Sequence, residues 1–441
     1  MSAPKARQAP EVHVRPYWEL RFDADGDPDP QQLARLLREA HQVRDLVVFT
    51  HGWNNDRSIA TRLYDRFFAP FPALAPRASL GYVGVLWPSM RFTDERIPDF
   101  DRTATPASSA VSRTTLDKGT RQALVETFPR SEPVVELLAR RLEEQPARAS
   151  AFDEFGGLVR QLVGVAPAAA AADLTEDREQ HRVPAMLHED TRTMCLEFAM
   201  GLEMTAGPPS GTTFGPPSGA DFLRPLTTMG AKAWLGAHEL LRQATYFAMK
   251  RRAGKVGQAG LGPALGRLAE QAPGVRVHLV GHSFGARLVS FALAGMPESA
   301  RNVKSVTLLQ GAFSHYAFAG RGALKGRQAR VDGPLVACFS RYDTALSVMY
   351  PLASRLAGDD RSLVDLGERW GALGHDGFQD VDGAVRFTLA DVLRAGVPGA
   401  GCVSVDAAQV VRDGPPPSGA HSDICHAELA RVVLGAGRVT T

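Results

Sequence analysis

Short strand-like runs rich in apolar residues recur along the chain and constrain its fold more than any other feature. Such runs suit strands that are buried on both faces of a parallel sheet. They lie at residues 46–50, 82–87, 275–280, 304–309, 335–339 and 402–407, and residues 12–22 add a first strand with alternating apolar positions. Segments with helical periodicity lie between the runs. This alternation predicts an α/β fold with a mostly parallel sheet and helices on both faces.

The alternation stops between about residue 90 and residue 219. Helix-like stretches at residues 133–144, 152–163 and 194–204 replace it, followed by a Gly/Pro/Ser-rich stretch at 207–219. That stretch is either a flexible linker or the hinge of a helical cap, and we favour the hinge because the alternation then resumes. The predicted domains are a first core part at 1–89, a large helical cap or lid insertion at 90–219 and a second core part at 220–441.

Composition excludes several classes of function for this chain of 441 residues. Its formal net charge is only +2, so we expect neither nucleic acid nor an anionic membrane as partner. The four cysteines form no C-x-x-C pair, and the first residues lack the apolar core of a secretory signal. The longest bland apolar stretch, residues 162–172, is too short to span a bilayer. We therefore expect a cytoplasmic protein that is not integral to a membrane; the oligomeric state is left open.

A tight corner joins the predicted strand at residues 275–280 to the predicted helix at 286–294. Its sequence is Gly281-His-Ser283-Phe-Gly285. A strand-to-helix corner of this kind strains the backbone of the serine, so the positions two residues away must be almost free of side chain. The hydroxyl then projects above the sheet, and the helix N-terminus favours a negative charge beside it. The corner predicts Ser283 as a nucleophile and the Phe284 N–H as an oxyanion donor.

With this corner the chain resembles the serine α/β-hydrolase superfamily. His51-Gly-Trp53, after an earlier strand, is similar to the oxyanion-hole loop of that superfamily. Together with Leu86-Trp-Pro-Ser89, it resembles a group of poorly characterised bacterial α/β-fold hydrolases. The similarity covers residues 46–89 and about 222–426, and the insertion between them has no counterpart. The resemblance implies an α/β-hydrolase fold, with the N–H of Trp53 as second oxyanion donor.

A nucleophilic serine also needs a base, and the base needs a carboxylate that fixes its tautomer. In the α/β-hydrolase fold the acid and then the histidine follow the serine along the chain. The resemblance places the base at His421, in a Pro/Gly-rich loop after the last strand. Asp343 is the predicted acid because it follows the strand at 335–339, while its main rival, Asp406, lies on the final strand.

The remaining histidines receive other interpretations. His315 is a further histidine downstream of Ser283, His375 lies in a Gly-rich stretch, and His426 is predicted to be an ordinary surface or packing residue. The segment His421-Ser-Asp423-Ile-Cys-His426 matches no zinc spacing, so we predict no metal and no cofactor. His51 is predicted to brace its loop. Gly52 and His282 are predicted to contact the substrate.

These residues predict a serine hydrolase that cleaves a carboxylic ester through an acyl-enzyme. Apolar helix faces in the insertion, including Val134, Leu137 and Leu138, favour a small-molecule or lipid-like substrate with a hydrophobic acyl group. Two alternatives stay open. One is a peptidase, amidase or acyltransferase with the same triad, and the other is a catalytically silent hydrolase-like module that binds a protein partner.

Overall fold

The computed structural model describes residues 10–92, 115–164, 190–206, 226–346, 371–414 and 418–439. Eight strands in these ranges form one sheet. They are β1 (Tyr17–Arg21), β2 (Asp45–Thr50), β3 (Leu80–Leu86), β4 (Arg276–His282), β5 (Val303–Leu309), β6 (Pro334–Phe339), β7 (Val385–Thr388) and β8 (Gly401–Asp406). Every pair of neighbouring strands is parallel, so all carboxyl ends meet at one edge.

Helices interleave with these strands. Before the insertion they are α1 (Pro30–Glu39), α2 (Arg57–Phe68) and α3 (Phe71–Leu74), and within it α4 (Lys118–Thr127), α5 (Glu132–Glu144), α6 (Ser150–Leu162) and α7 (Thr191–Ala206). The long α8 (Leu226–Lys255) continues through a π-helical turn, Val256–Leu261, into α9 (Gly262–Gln271). The last four are α10 (Phe284–Gly295), α11 (Leu373–Asp376), α12 (Leu389–Ala395) and α13 (Ala427–Ala436).

Burial of both faces explains why β2, β3 and β6 are almost entirely apolar in sequence. Every residue of β2, β3 and β6 is buried. One hydrophobic cluster joins one face of the sheet to α2, α3, α12 and α13, and a second joins the other face to α1, α8, α9 and α10. The predicted α/β architecture, a parallel sheet with helices on both faces, is confirmed.

The order of the strands departs from the prediction. Across the sheet it runs β1-β3-β2-β4-β5-β6-β8-β7, which is not the order of the α/β-hydrolase fold. Apolar periodicity reports that a strand is buried, but it does not report which neighbour the strand pairs with. The short edge strand β7 lay outside the predicted strands because it is mostly exposed and carries no apolar run.

The described part of the insertion contains helices and no strand. Phe152 of α6 stacks on Trp234 of α8 with ring centroids 4.6 Å apart. A Cβ atom on Gly236 would lie 1.6 Å from the carbonyl oxygen of Cys195 in α7, so α7 and α8 touch backbone to backbone. The predicted domain limits stay predictions, and the hinge proposed at residues 207–219 lies outside the described residues. No helix among the described residues is long and apolar enough to cross a membrane.

Candidate active site

Ser283 lies at the corner between β4 and α10 with φ 55° and ψ −118°, a conformation that non-glycine residues rarely adopt. Two glycines make the corner possible. A Cβ atom on Gly285 would lie 2.1 Å from the carbonyl oxygen of Thr50, and one on Gly281 would lie 2.4 Å from that of Gly285. The strained backbone of Ser283 thus lies between two positions that cannot carry a side chain, as the sequence predicted.

Ser283, His421 and Asp343 form a hydrogen-bonded relay at the carboxyl edge of the sheet. Oγ of Ser283 lies 2.9 Å from Nε2 of His421, whose Nδ1 lies 2.7 Å from Oδ2 of Asp343. Because the carboxylate accepts from Nδ1–H, Nε2 of neutral His421 carries a lone pair toward the serine hydroxyl. The side chain of Asp343 is fully buried, and its other oxygen accepts the N–H of Leu346 at 3.0 Å.

Backbone contacts bring the loop of the histidine to the loop of the acid. His421 lies on a short 3₁₀ turn, Gly419–Ser422, and the N–H of Ala420 donates to the carbonyl of Tyr342 at 2.9 Å. Tyr342 directly precedes Asp343. This main-chain bond joins the residue before His421 to the residue before Asp343, so it fixes the positions of the two side chains relative to each other. Asp406, the rival acid, instead accepts the N–H of Ala408 at 2.9 Å in its own turn.

His282 connects the nucleophile corner to the base. Its Nε2–H donates to the carbonyl of His421 at 2.8 Å. Burial lowers the pKa of His282 to about 3, with a further contribution from nearby His421, so the ring stays neutral with its proton on Nε2. The side chain is buried against His421. This geometry favours a positioning role for His282 over the substrate contact expected from the sequence.

The predicted oxyanion loop, residues 51–53, follows β2 and approaches Ser283 through Gly52. Three donors hold the Gly52 carbonyl: His51 Nδ1 at 2.8 Å, Asn55 Nδ2 at 3.2 Å and Ser89 Oγ at 3.3 Å. In a trans peptide the next N–H points away from that carbonyl, so the N–H of Trp53 faces away from these donors. Within the described part of the chain, neither this N–H nor that of Phe284 donates a hydrogen bond. Both are free to stabilise a negative charge beside Ser283.

His51 braces this loop, as predicted. Burial lowers its pKa to about 4, partly offset by the hydrogen bond to Gly52. Its ring stacks on Trp87 with centroids 5.5 Å apart, and its Nε2 accepts the Trp87 N–H at 3.5 Å. The indole N–H of Trp87 donates to the His51 carbonyl at 2.9 Å. Both ring nitrogens are therefore engaged within the loop.

An aromatic cluster packs beside the oxyanion loop. Trp53 lies edge-on to Tyr246 of α8 and to Phe92, with centroids 5.5 and 6.0 Å away. Tyr246 in turn lies 4.5 Å from Phe284, centroid to centroid. The guanidinium of Arg242 sits 5.4 Å from the Trp53 ring centroid. The contribution of α8 to this cluster could not be predicted from the sequence, since an aromatic residue on a long helix gives no indication of its distant neighbours.

Gln310 was also missed. It follows β5 with φ 44°, in the left-handed region, and is fully buried. The residues on either side of the pair 310–311 hold the backbone of Ser283: the Leu309 carbonyl accepts its N–H at 3.0 Å, and the Ala312 N–H donates to its carbonyl at 3.2 Å. The strained backbone of Gln310 thus lets the chain turn so that both of these hydrogen bonds to Ser283 can form. No sequence signal marks it, because glutamine has no preference for this conformation.

A second Ser–His–Asp relay lies elsewhere in the sheet. His278 Nδ1 is 2.9 Å from Oγ of Ser305, and its Nε2 is 3.0 Å from Oδ1 of Asp45. All three residues are buried along the strands, at most 3% exposed. Asp45 also pairs with Arg276 at 2.8 Å. Ser305 lies within β5 and is only 1% exposed, so we assign this relay to the packing of the sheet.

The fold and the site together define an α/β protein with a Ser–His–Asp relay at the carboxyl edge of a parallel sheet. No protein family, curated protein or solved structure matches the chain. The described residues contain no group of three histidine, cysteine, aspartate or glutamate side chains that could hold a metal ion.

Proposed function

We propose that this protein is a serine hydrolase that cleaves a carboxylic ester through an acyl-enzyme. The observation that carries the proposal is the relay from Ser283 through His421 to the buried Asp343, with bonds of 2.9 and 2.7 Å. A hydroxyl needs such a base to become a nucleophile at neutral pH. The strained backbone of Ser283 adds support, because strain of this kind concentrates at functional sites.

In the proposed reaction Oγ of Ser283 attacks the acyl carbon while His421 Nε2 takes the hydroxyl proton. The carbonyl oxygen becomes negative and accepts the N–H groups of Phe284 and Trp53. His421 then returns the proton to the departing alkoxide, which leaves an acyl-serine. Water, deprotonated by the same nitrogen, releases the acid and restores the hydroxyl. Asp343 holds the ring orientation throughout and balances the charge of the imidazolium.

The proposed substrate carries a hydrophobic acyl or alcohol group. Support comes from the aromatic cluster of Trp53, Phe92, Tyr246 and Phe284 beside the oxyanion loop. The apolar residues of α5 in the insertion give weaker support. Val134 and Leu138 are buried as core residues, and Leu137 is exposed. The kinship proposed with serine α/β-hydrolases rests on the nucleophile corner and on the Ser–Asp–His chain order; the strand order does not support it.

The test is covalent labelling with a fluorophosphonate probe, followed by a panel of p-nitrophenyl esters of graded acyl length. We expect labelling of the wild type and of Ser305→Ala, whose serine belongs to the buried second relay, and none of Ser283→Ala. Equal labelling of Ser283→Ala and wild type would refute the assignment of the nucleophile. Labelling without turnover of any ester would instead favour an amide substrate or a transfer reaction.

A further inference from the structure

Asp423 and His426 lie close to His421 in the sequence, and the proposed reaction does not use their side chains. The spacing of the segment from His421 to His426 matches no zinc site, and no metal was predicted here. The structure separates the two histidines, since His421 faces Ser283 and Asp343 whereas His426 Nε2 lies 2.8 Å from Oδ1 of Asp423. Asp423 and His426 thus form a pair of their own beside the base.

The Asp423 carboxylate joins three parts of the loop that carries His421. Its Oδ2 accepts the N–H groups of Arg412 and Asp413, each at 3.0 Å, in the stretch that follows β8. Its Oδ1 accepts from His426, the residue that precedes α13. The loop leaves the sheet after β8 and returns at α13, so one side chain closes both of its ends.

Other contacts show how tightly the closed loop is packed. A Cβ atom on Gly414 would lie 1.7 Å from the carbonyl oxygen of Gly419, which begins the turn that carries His421. The N–H of Asp423 donates to the carbonyl of Ala420 at 3.1 Å. A shift of the stretch around residues 412–413 is therefore transmitted directly to the turn of the base.

The charges of the pair favour the closed loop. Although burial acts to raise it, the pKa of Asp423 lies below its ordinary value because His426 and the backbone donors stabilise the carboxylate. The pKa of His426 is raised, first by its hydrogen bond to Asp423, against a smaller opposite effect of burial. Both pKa shifts show that the charged forms of the two side chains are favoured. Hydrogen bonds between charged groups are stronger than those between neutral groups.

We infer that Asp423 and His426 are positioning residues that hold the base His421 at its 2.9 Å distance from Ser283. This inference rests on the proposed function. A catalytic group must stay within a fraction of an ångström of its productive position, so the contacts that fix the path of its loop matter beside those of its ring. The hydrogen bond from the His282 side chain restrains the carbonyl of His421, whereas the Asp423 pair restrains the path of the loop.

The test compares Asp423→Ala, Asp423→Asn, His426→Ala and His426→Gln in ester turnover and in the rate of fluorophosphonate labelling. For Asp423→Ala we expect kcat to fall by about 100-fold, with KM changed by less than about twofold. For His426→Ala we expect a fall of about tenfold. His426→Gln should keep most of the wild-type kcat because its amide can donate to Asp423. Asp423→Asn keeps an oxygen that can accept the backbone N–H groups, so its kcat should lie between those of Asp423→Ala and the wild type.

The matched control is the pair of His13 and Asp65, 2.9 Å apart and distant in sequence from the site. His13→Ala should leave kcat unchanged. A wild type that fails to label refutes the proposed function itself. If the wild type labels and His426→Ala labels at the same rate, the positioning role alone is refuted. Should Asp423→Ala lose its circular dichroism signal, the comparison of His426→Ala with His426→Gln decides, and equal kcat values overturn the inference.

Discussion

Gly52 lies where the oxyanion loop passes closest to the nucleophile, so Gly52→Ala perturbs the site with a single methyl group. Its added Cβ would lie 2.6 Å from Cβ of Ser283 and 3.2 Å from Oγ. Ordinary contact begins near 3.4 Å, so the loop and the serine must separate by about 0.8 Å. Neither side yields easily, because three donors hold the Gly52 carbonyl and the Ser283 backbone is clasped on both sides.

The expected loss is large in rate and small in stability. Misplacing reacting groups by an ångström costs about 100-fold in rate, and the separation required here approaches that distance. Overpacking by one methyl group costs about 1–3 kcal/mol in the free energy of unfolding. We therefore expect Gly52→Ala to fold, to be labelled slowly by the fluorophosphonate probe and to lose about two orders of magnitude in kcat for a p-nitrophenyl ester.

The control for this substitution is Gly274→Ala, because a Cβ atom there would meet nothing within 4 Å. It should match the wild type in labelling rate and kcat. If Gly52→Ala keeps wild-type kcat while it is folded, the close approach of the loop to Ser283 plays no part in the reaction. The assignment of the Trp53 N–H as oxyanion donor would then fail with it.

Three further predictions concern stability. Ser283→Gly should be more stable than Ser283→Ala by about 1 kcal/mol in urea unfolding, since glycine adopts φ 55° without strain; equal values would contradict this. Burial lowers the pKa of His51 to about 4 and of His282 to about 3, below the unfolded value of 6.5. Only the unfolded chain then binds these protons, so the free energy of unfolding falls as pH drops from 6.5 toward 4, by about 1.4 kcal/mol per pH unit for each ring. Urea titrations across this pH range should show that the free energy of unfolding of His282→Gln depends less steeply on pH than that of the wild type. A wild-type free energy of unfolding that does not change with pH would contradict the prediction. Ser305→Ala should lower stability by about 1 kcal/mol in thermal unfolding because His278 loses a partner, while labelling of Ser283 is unchanged.

The elements buried on both faces of the sheet could be read from the sequence, because their apolar runs have a direct physical cause. The segments at 275–280 and 335–339 appear as β4 and β6, within a residue or two of the prediction. The strand β7 could not be found this way, since Val385–Thr388 lies at an edge and exposes most of its side chains. Strand order was equally inaccessible, as it depends on pairings between residues that are far apart in sequence.

The residues at the site divide along the same line. Ser283 carries a local signal, since the two glycines around it are required by the corner itself. Asp343 was predicted because it follows a strand that ends at the same edge of the sheet as β4, whereas His421 was predicted from the resemblance. The structure brings the two side chains within 2.7 Å of each other. Gln310 and the Asp423 pair act through backbone strain and loop closure, which depend on contacts in the folded chain.

The two Ser–His–Asp relays show that hydrogen-bond distances alone do not define a catalytic site. Oγ of Ser305 lies 2.9 Å from Nδ1 of His278, the same distance that separates Ser283 from His421. The His278–Asp45 bond, at 3.0 Å, is also within the normal range. What differs is the backbone: Ser305 lies within β5, where its hydroxyl is enclosed by the sheet, whereas Ser283 lies beyond the end of β4 at a strained corner. Only the second position sets free N–H groups, a helix N-terminus and a histidine on a loop around one hydroxyl. The chemistry proposed for this chain thus follows from where the sheet ends.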